Sequence, residues 1–540
     1  MADELAKGLM MDHALLVTRR NSYDMYLEDI KEFVRPASPD FYNSGGTISQ
    51  PATNIRCYDS TAMWAAEQLA AGYAGFLTPS NDRWADLIFE NEQEATRDEQ
   101  LWLDAASDIL YRMWANPAAR FTGSMQENYF DLAGFGTSHV YQDWNAKKQA
   151  FRFRAYSPAD CWIRENNDGF IDTLHRSTVY TTRQLYQQFD HGVLTGIEQV
   201  FKDKEKNERT FEVIHIVRPA SDDDKLPTKK AYASFYILKA SNDTLRKGGY
   251  DYFPYHTGRE KVIAGHVYGQ SSAFTMLPAI KMLNAMMKTV IKAANKAIDP
   301  PTMAPSDGFM VPLSADAGAL WWYDAGMMNP DAVKQFPAQG RFEISDGLIE
   351  DVRNQITRGF KVDWLIRNKK NERQTATEIM DDRDEMLRQL APTLGRIETE
   401  QISSIVKTSY NIARREGKLP PAPSSMTNKR LDVRFQSPLA RAQYGARGAD
   451  IQRYIADITP MYNIWPSMAQ TIDEDALSTY LARIRNVPSV VLRDEKAKAE
   501  LREAEAQQAQ EQKMMEAAPA LSRSLKDVAQ AEEISGGQLT

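Results

Sequence analysis

Apolar side chains recur at helical spacing along the first part of the chain and at strand spacing in its middle. Between residues 9 and 34, Leu15, Leu16, Tyr23, Leu27, Ile30 and Phe33 return every few positions until Arg35 and Pro36 end the pattern, which predicts a helix. Further helices are expected over 60–76 and 98–114. From 140 to 268 the texture changes: "QAFRFRAYS", "FIDTLHRSTVY", "TFEVIHIVR" and "KAYASFYILK" are β-branched, aromatic and partly alternating, and predict an antiparallel sheet with helices around it.

Residues 275–298, "TMLPAIKMLNAMMKTVIKAANKAI", read as one helix with Pro278 in its first turn and Asp299-Pro300-Pro301 as its stop. At about 1.5 Å per residue it would span roughly 36 Å. A Pro-, Gly- and aromatic-rich insertion follows, in which Trp321, Trp322 and Tyr323 are core, subunit-interface or partner-docking side chains. A second helix is expected from Ser345, with Leu348, Val352, Ile356, Phe360 and Trp364 at every fourth position. Thr375 and Glu378 then have the spacing of a capping box, and Asp381 and Asp382 suit the positive end of a new helix. Its apolar line runs through Met386, Leu390, Leu394, Ile397, Ile402, Ile405 and Val406 to Gly417 and Pro420-Pro421. That makes a helix of about forty residues, long for a globular protein, and Pro392 inside it is expected to kink it. "LDVRFQS" reads as a strand, 439–455 and 473–484 as helices, and 493–533 as a solvated helix that frays. The fold class is α+β.

With 540 residues and 43% hydrophobic content the chain can bury a sizeable core in several domains. Its formal charge of −8 excludes gripping nucleic acid by net field, so any DNA contact must be local. Cys57 and Cys161 stand apart, without a disulfide framework or zinc knuckle. The N-terminus lacks the features of a signal peptide and no window offers 18 uncharged apolar residues, which predicts a cytoplasmic product with no membrane partner. No phosphate-binding loop occurs, "AGFGTS" reads as a turn, the seven histidines form no helical i, i+4 pair, and Glu350-Asp351 and Asp381-Asp382 read as solvated helix faces. No catalytic residue, metal or cofactor is therefore assigned.

Basic residues are the remaining chemistry. Lys281, Lys288, Lys292 and Lys296, spaced seven, four and four, share about 80° of arc on the first long helix. Arg353, Arg358 and Lys361 lie on the second, and the loop after it carries Arg367, Lys369, Lys370 and Arg373 against one acid, Glu372. A basic loop between two long helices could touch a phosphate backbone without reading bases.

Taken in order, "AGFLTPSNDRWADL", "PADCWI", "SAFTMLPAIKMLNAMMKTVIKAANKAIDPP", "RQTATEIMDDRDEMLRQLAPTLGRIETE", "ARREGKLPPAP" and "SPLARAQ" resemble segments of the portal, or head-to-tail connector, proteins of short-tailed bacteriophages, over roughly residues 9–485. The resemblance implies a dodecameric ring at one capsid vertex, assembled in the host cytoplasm and carried in the virion. Implied partners are other copies of the chain, the terminase large subunit, a tail adaptor, scaffold, major capsid and internal core proteins, and double-stranded DNA passing non-specifically. It also implies a wing over 1–270, a first stem helix over 271–298, a clip over 299–344 and a second stem helix over 345–366. A tunnel loop would follow at 367–374, then a kinked wing helix with its return strand at 375–437, and a crown and low-complexity tail at 438–540. The rivals are another virion structural protein, such as an internal core or tail-tube component, and a phage hydrolase using a carboxylate pair.

Overall fold

In the computed structural model, residues 4–41, 57–80, 82–90, 96–189, 209–224, 226–298, 302–303, 334–335, 342–365, 388–426, 429–436, 438–462, 472–484, 493, 498–505 and 507–508 are described. The chain opens with α1 (Glu4–Val34), α2 (Thr61–Leu77), β1 (Ala85–Phe89), α3 (Arg97–Ala115) and α4 (Phe121–Phe135). Strands β2 (Thr137–Asn145), β3 (Ala150–Tyr156), β4 (Cys161–Glu165) and β5 (Ile171–Thr181), helix α5 (Thr182–Gln188), and strands β6 (Thr210–Pro219), β7 (Tyr232–Leu238), β8 (Asp243–Tyr250) and β9 (Tyr255–Arg259) form the middle. Then come α6 (Ser272–Ile298), β10 (Thr302–Met303), β11 (Lys334–Gln335), α7 (Phe342–Gly359), α8 (Val362–Leu365), α9 (Ser403–Arg415), β12 (Leu431–Phe435), α10 (Pro438–Tyr462) and α11 (Glu474–Ile484). The α+β class expected from the hydrophobic pattern is what forms.

Two units are distinguished, Met1–Asp86 with Asp108–Leu419 and Val433–Ala442, and Leu87–Ser107 with Pro420–Asp432 and Gln443–Thr540. In the first, the β-rich middle is two antiparallel sheets rather than one, ordered β3-β2-β9 and β4-β5-β6-β7-β8. The N-terminal turns of α1 put Ala6 and Leu9 over Ile214, Ile216, Phe235 and Ile237 of β6 and β7. Farther along, Arg20 is buried because its guanidinium donates to the carbonyls of Pro158 (2.8 Å), Ala159 (2.9 Å) and Cys161 (2.6 Å) and lies over the Trp162 ring. Three carbonyls thus accept from the guanidinium and its Nε lies 2.8 Å from Asp24 Oδ1, without which burying a cation would cost several kcal/mol. In the second unit, fully buried Glu99 accepts from Lys429 at 2.7 Å and from the Thr96 N–H at 2.9 Å, and the Trp102 indole donates to the Pro420 carbonyl.

The turn read in "AGFGTS" ends α4: Gly136 has φ +75°, and a Cβ there would lie 2.3 Å from the backbone of Gln270 and Ser271. Only glycine meets both conditions. Helix α6 begins earlier than expected and places Pro278 in its interior rather than its first turn. The Ser271 hydroxyl sets the new start, accepting from the Ala273 N–H (3.2 Å) and donating to the Gly134 carbonyl (2.6 Å). The second long helix also departs from expectation, because α7 stops at Gly359 and Lys361 takes φ +61° before α8. A Cβ on Gly359, the last residue of α7, would lie 2.2 Å from Met276 Sδ, so the Met276 side chain of α6 packs against the α7 backbone there. Leu348, placed by spacing on the apolar line, is 54% exposed, whereas Ile349, Val352, Ile356 and Phe360 are buried.

Of the insertion, only the antiparallel pairing of β10 with β11 is described (Thr302↔Gln335, Met303↔Lys334), and Trp321, Trp322 and Tyr323 lie outside the described residues. Residues 388–397 are helical and include Pro392, and they run through a π turn, Glu398–Ile402, into α9. Gly417, at φ +64°, follows that helix as its sequence predicts.

Candidate functional site

Helices α6 and α7 are fastened side by side onto the start of α2. Arg353 of α7 donates to Asp59 Oδ2 at 2.8 Å, and Asp59 Oδ1 accepts from the Thr61 N–H at 2.8 Å. Burial pushes the Asp59 carboxyl up, but the hydrogen bonds from Thr61 and Arg353 outweigh it and hold the group below the usual carboxylate range. Asn284 of α6 accepts from the Tyr58 N–H at 2.6 Å, and Lys288 lies 5.8 Å over the Tyr58 ring. Lys281 reaches across to Asp29 of α1 at 2.6 Å. The basic stripe is thus partly anchorage: Lys281 and Lys288 hold the helix in place, Lys292 is exposed, and the Lys296 side chain is outside the described residues.

On the second helix Arg353 is held by Asp59, and Arg358 stands 3.4 Å from Asp363. Lys361 is half-buried, its ammonium pKa lowered by burial and by Lys261 against the pull of Glu260. Arg367, Lys369, Lys370, Arg373, Thr375 and Glu378 all fall between Leu365 and residue 388, outside the described residues.

Where the chain returns, a buried polar cluster fastens it to β9. Arg259, 3% exposed, donates through Nε and Nη2 to both oxygens of Glu400 at 3.0 Å, also bonds Glu165, and caps the carbonyls of Val267 (3.1 Å) and Gly169 (3.0 Å). The next residue, Gln401, exchanges hydrogen bonds with Asn128 (2.9 and 3.0 Å) and donates to the His256 carbonyl at 3.1 Å. Gly258 makes room for it, since a Cβ there would sit 2.7 Å from Gln401 Oε1. A π turn widens the helix by one residue, and Glu400 and Gln401, both in that turn, each reach the sheet. His256 completes the cluster through Ser404 Oγ at 2.8 Å, and burial lowers its pKa to about 3, so it is neutral.

This cluster was not foreseen, because Arg259 and Glu400 are 141 positions apart and neither lies in a recognisable spacing. Both carboxylates are engaged by the one guanidinium, and Glu400 also by Arg396 at 3.1 Å. Among the described residues no group of three or more His, Cys, Asp or Glu could hold a metal ion, and no helix is long and apolar enough to cross a membrane. Cys57 is half-buried and Cys161 buried, both free.

A family model described as "Bacteriophage head to tail connecting protein" matches residues 6–492. The chain belongs to that family. Among curated relatives, a "Probable portal protein" of Bordetella phage BPP-1 is 25% identical over 490 residues, 88% of this chain and 86% of that protein. A "Portal protein" of Salmonella phage epsilon15 is 23% identical over 563 residues, covering all of this chain and 98% of the other. Among solved structures, a chain of the "Virion of native gene transfer agent (GTA) particle" aligns at 10% identity with a TM-score of 0.36, over 77% of this chain and 90% of that one. For a member of this family, long paired helices fastened to a β-rich body and bracketing an insertion are the parts from which to argue function.

Proposed function

We propose that the chain is a portal subunit that assembles, by head-to-tail contacts between identical copies, into a ring at one capsid vertex. DNA enters through that ring, driven by a separate terminase, and leaves through it toward a tail adaptor. The observation that carries this reading is the family match across residues 6–492, joined by two phage relatives that bear the portal name along nearly their whole length. In this reading residues 271–298 and 345–366 form the stem, residues 299–344 the clip with Trp321, Trp322 and Tyr323 as docking aromatics, and residues 367–374 the tunnel loop nearest the DNA. The chain then acts as conduit and docking platform without turnover of its own.

Charge supports the division of labour. A ring of copies each carrying −8 repels DNA generally and lets it slide, whereas extensive phosphate neutralisation would hold it. Arg367, Lys369, Lys370 and Arg373 then supply a local, reversible brake against backward slippage between motor strokes. With Lys369, Lys370 and Arg373 all changed to Gln, particles should package less DNA or lose it faster while rings still form. Unchanged genome length and retention would remove the brake from the account and leave the conduit standing.

A further inference from the structure

Helix α1 is apolar on two sides. One side packs into the body, and the other carries Met11, Leu15, Met25 and Tyr26 at 71, 57, 62 and 56% exposure. At 100° per residue these four fall within about 100° of arc, as two exposed apolar pairs separated by the exposed Thr18 and Ser22. Tyr26 also lines the groove beside that face, about 730 Å³, together with Leu16, Tyr23, Tyr268, Phe274 and Pro278. Arg19 stands exposed at its edge, with no ion-pair partner among the described residues.

The opposite character appears on α7. Its buried line is Ile349, Val352 and Ile356, and its outer face presents Leu348 beside exposed Asp351, which has no ion-pair partner among the described residues. Three positions apart, the two side chains are neighbours on one helix face. Helix α6 meets α1 through Lys281 and α7 through Met276 and Met287. Those contact directions differ by roughly 130° around its axis, so α1 and α7 flank it on different sides.

We propose that the outer face of α1 and its groove receive the outer face of α7 from the next copy of this chain, with Leu348 entering the groove and Asp351 pairing with Arg19. The proposal rests on the portal reading, in which copies meet head to tail, and it names the two surfaces that meet. A heterologous contact of this kind joins two different patches of one chain and closes into a ring when the rotation allows. The apolar face supplies the area and the single charge pair the register.

The test is a charge exchange in the full chain, read as ring formation against protein concentration by native mass spectrometry and electron microscopy. Arg19→Asp and Asp351→Arg should each raise the concentration needed for assembly by about tenfold or more, as should Leu348→Asp. The double variant Arg19→Asp with Asp351→Arg should return to within about threefold of the unmodified chain. All three positions are exposed, so circular dichroism should show each subunit folded. Single variants that assemble like the unmodified chain, or a double variant as defective as the two singles combined, would overturn the contact. An unmodified chain that forms no ring would overturn the portal reading itself.

Discussion

Replacing Arg259 by Met keeps an unbranched apolar stem and deletes the guanidinium, which tests what the buried cation does. Glu400 is 13% exposed and Glu165 26%, so removing the cation leaves Glu165 unpaired and Glu400 with only the more exposed Arg396 at 3.1 Å, and the carbonyls of Val267 and Gly169 lose a donor. Breaking a buried pair by removing one partner costs about 3–5 kcal/mol. Glu165 can partly rehydrate, so the lower end, about 3 kcal/mol, is the better figure, and it corresponds to more than a hundredfold in an opening equilibrium. Because Glu400 sits in the π turn just before α9, the loss should appear as local opening of that helix from β9. Hydrogen exchange of peptides spanning 396–406 should accelerate about a hundredfold, while peptides within β6 and β7 keep their protection. Arg259→Lys, which restores a point charge without the fork, should recover part of it. Exchange within about threefold of the unmodified protein would refute the reasoning and show that π-turn packing alone holds the helix.

Two further perturbations follow from the geometry. Gly136→Ala demands a left-handed alanine and drives its Cβ into the backbone of Gln270 and Ser271, which cannot move aside; soluble folded protein should be largely lost, and a melting temperature within a degree or two of the parent would contradict the close approach. Burial holds His13 at about 4 and His139 and His256 at about 3, so below about 6.5 the unfolded chain takes up protons that the folded chain refuses. Each then lowers stability by up to about 1.4 kcal/mol per pH unit as pH falls toward its folded value. Asp131 and Asp160, raised to about 6 by burial, bind protons first in the folded chain and offset part of this. Melting should therefore fall between pH 6.5 and 4.5, and His139→Gln should flatten the fall; identical slopes would mean that His139 does not titrate as its burial implies.

Helices were legible in the chain wherever an apolar line recurred, and the ends of the first three were placed to within a residue except at the start of α1. Strands β3, β5, β6 and β7 were legible from β-branched and aromatic runs. By contrast β8, "DTLRKGGY", and β9, "YHTGR", carry Gly and charge and become strands through the partners they pair with. The break after α7, where Lys361 takes φ +61°, was masked by the apolar line that runs on through Phe360 and Trp364. The basic stripe could be drawn from spacing, but not which cations are anchored. Lys281 and Arg353 find Asp29 and Asp59 across 252 and 294 positions of sequence, beyond the reach of any local pattern. The Thr375 and Glu378 cap and the tunnel-loop cations lie outside the described residues, and Pro392 lies within a described helical stretch.

The central claim is that this chain works as a ring. Native mass spectrometry of the purified protein, with class averages from electron microscopy, tests it most directly: the account predicts a closed ring of about twelve copies around a central hole, and a monomer or dimer that persists across salt and protein concentration would contradict it.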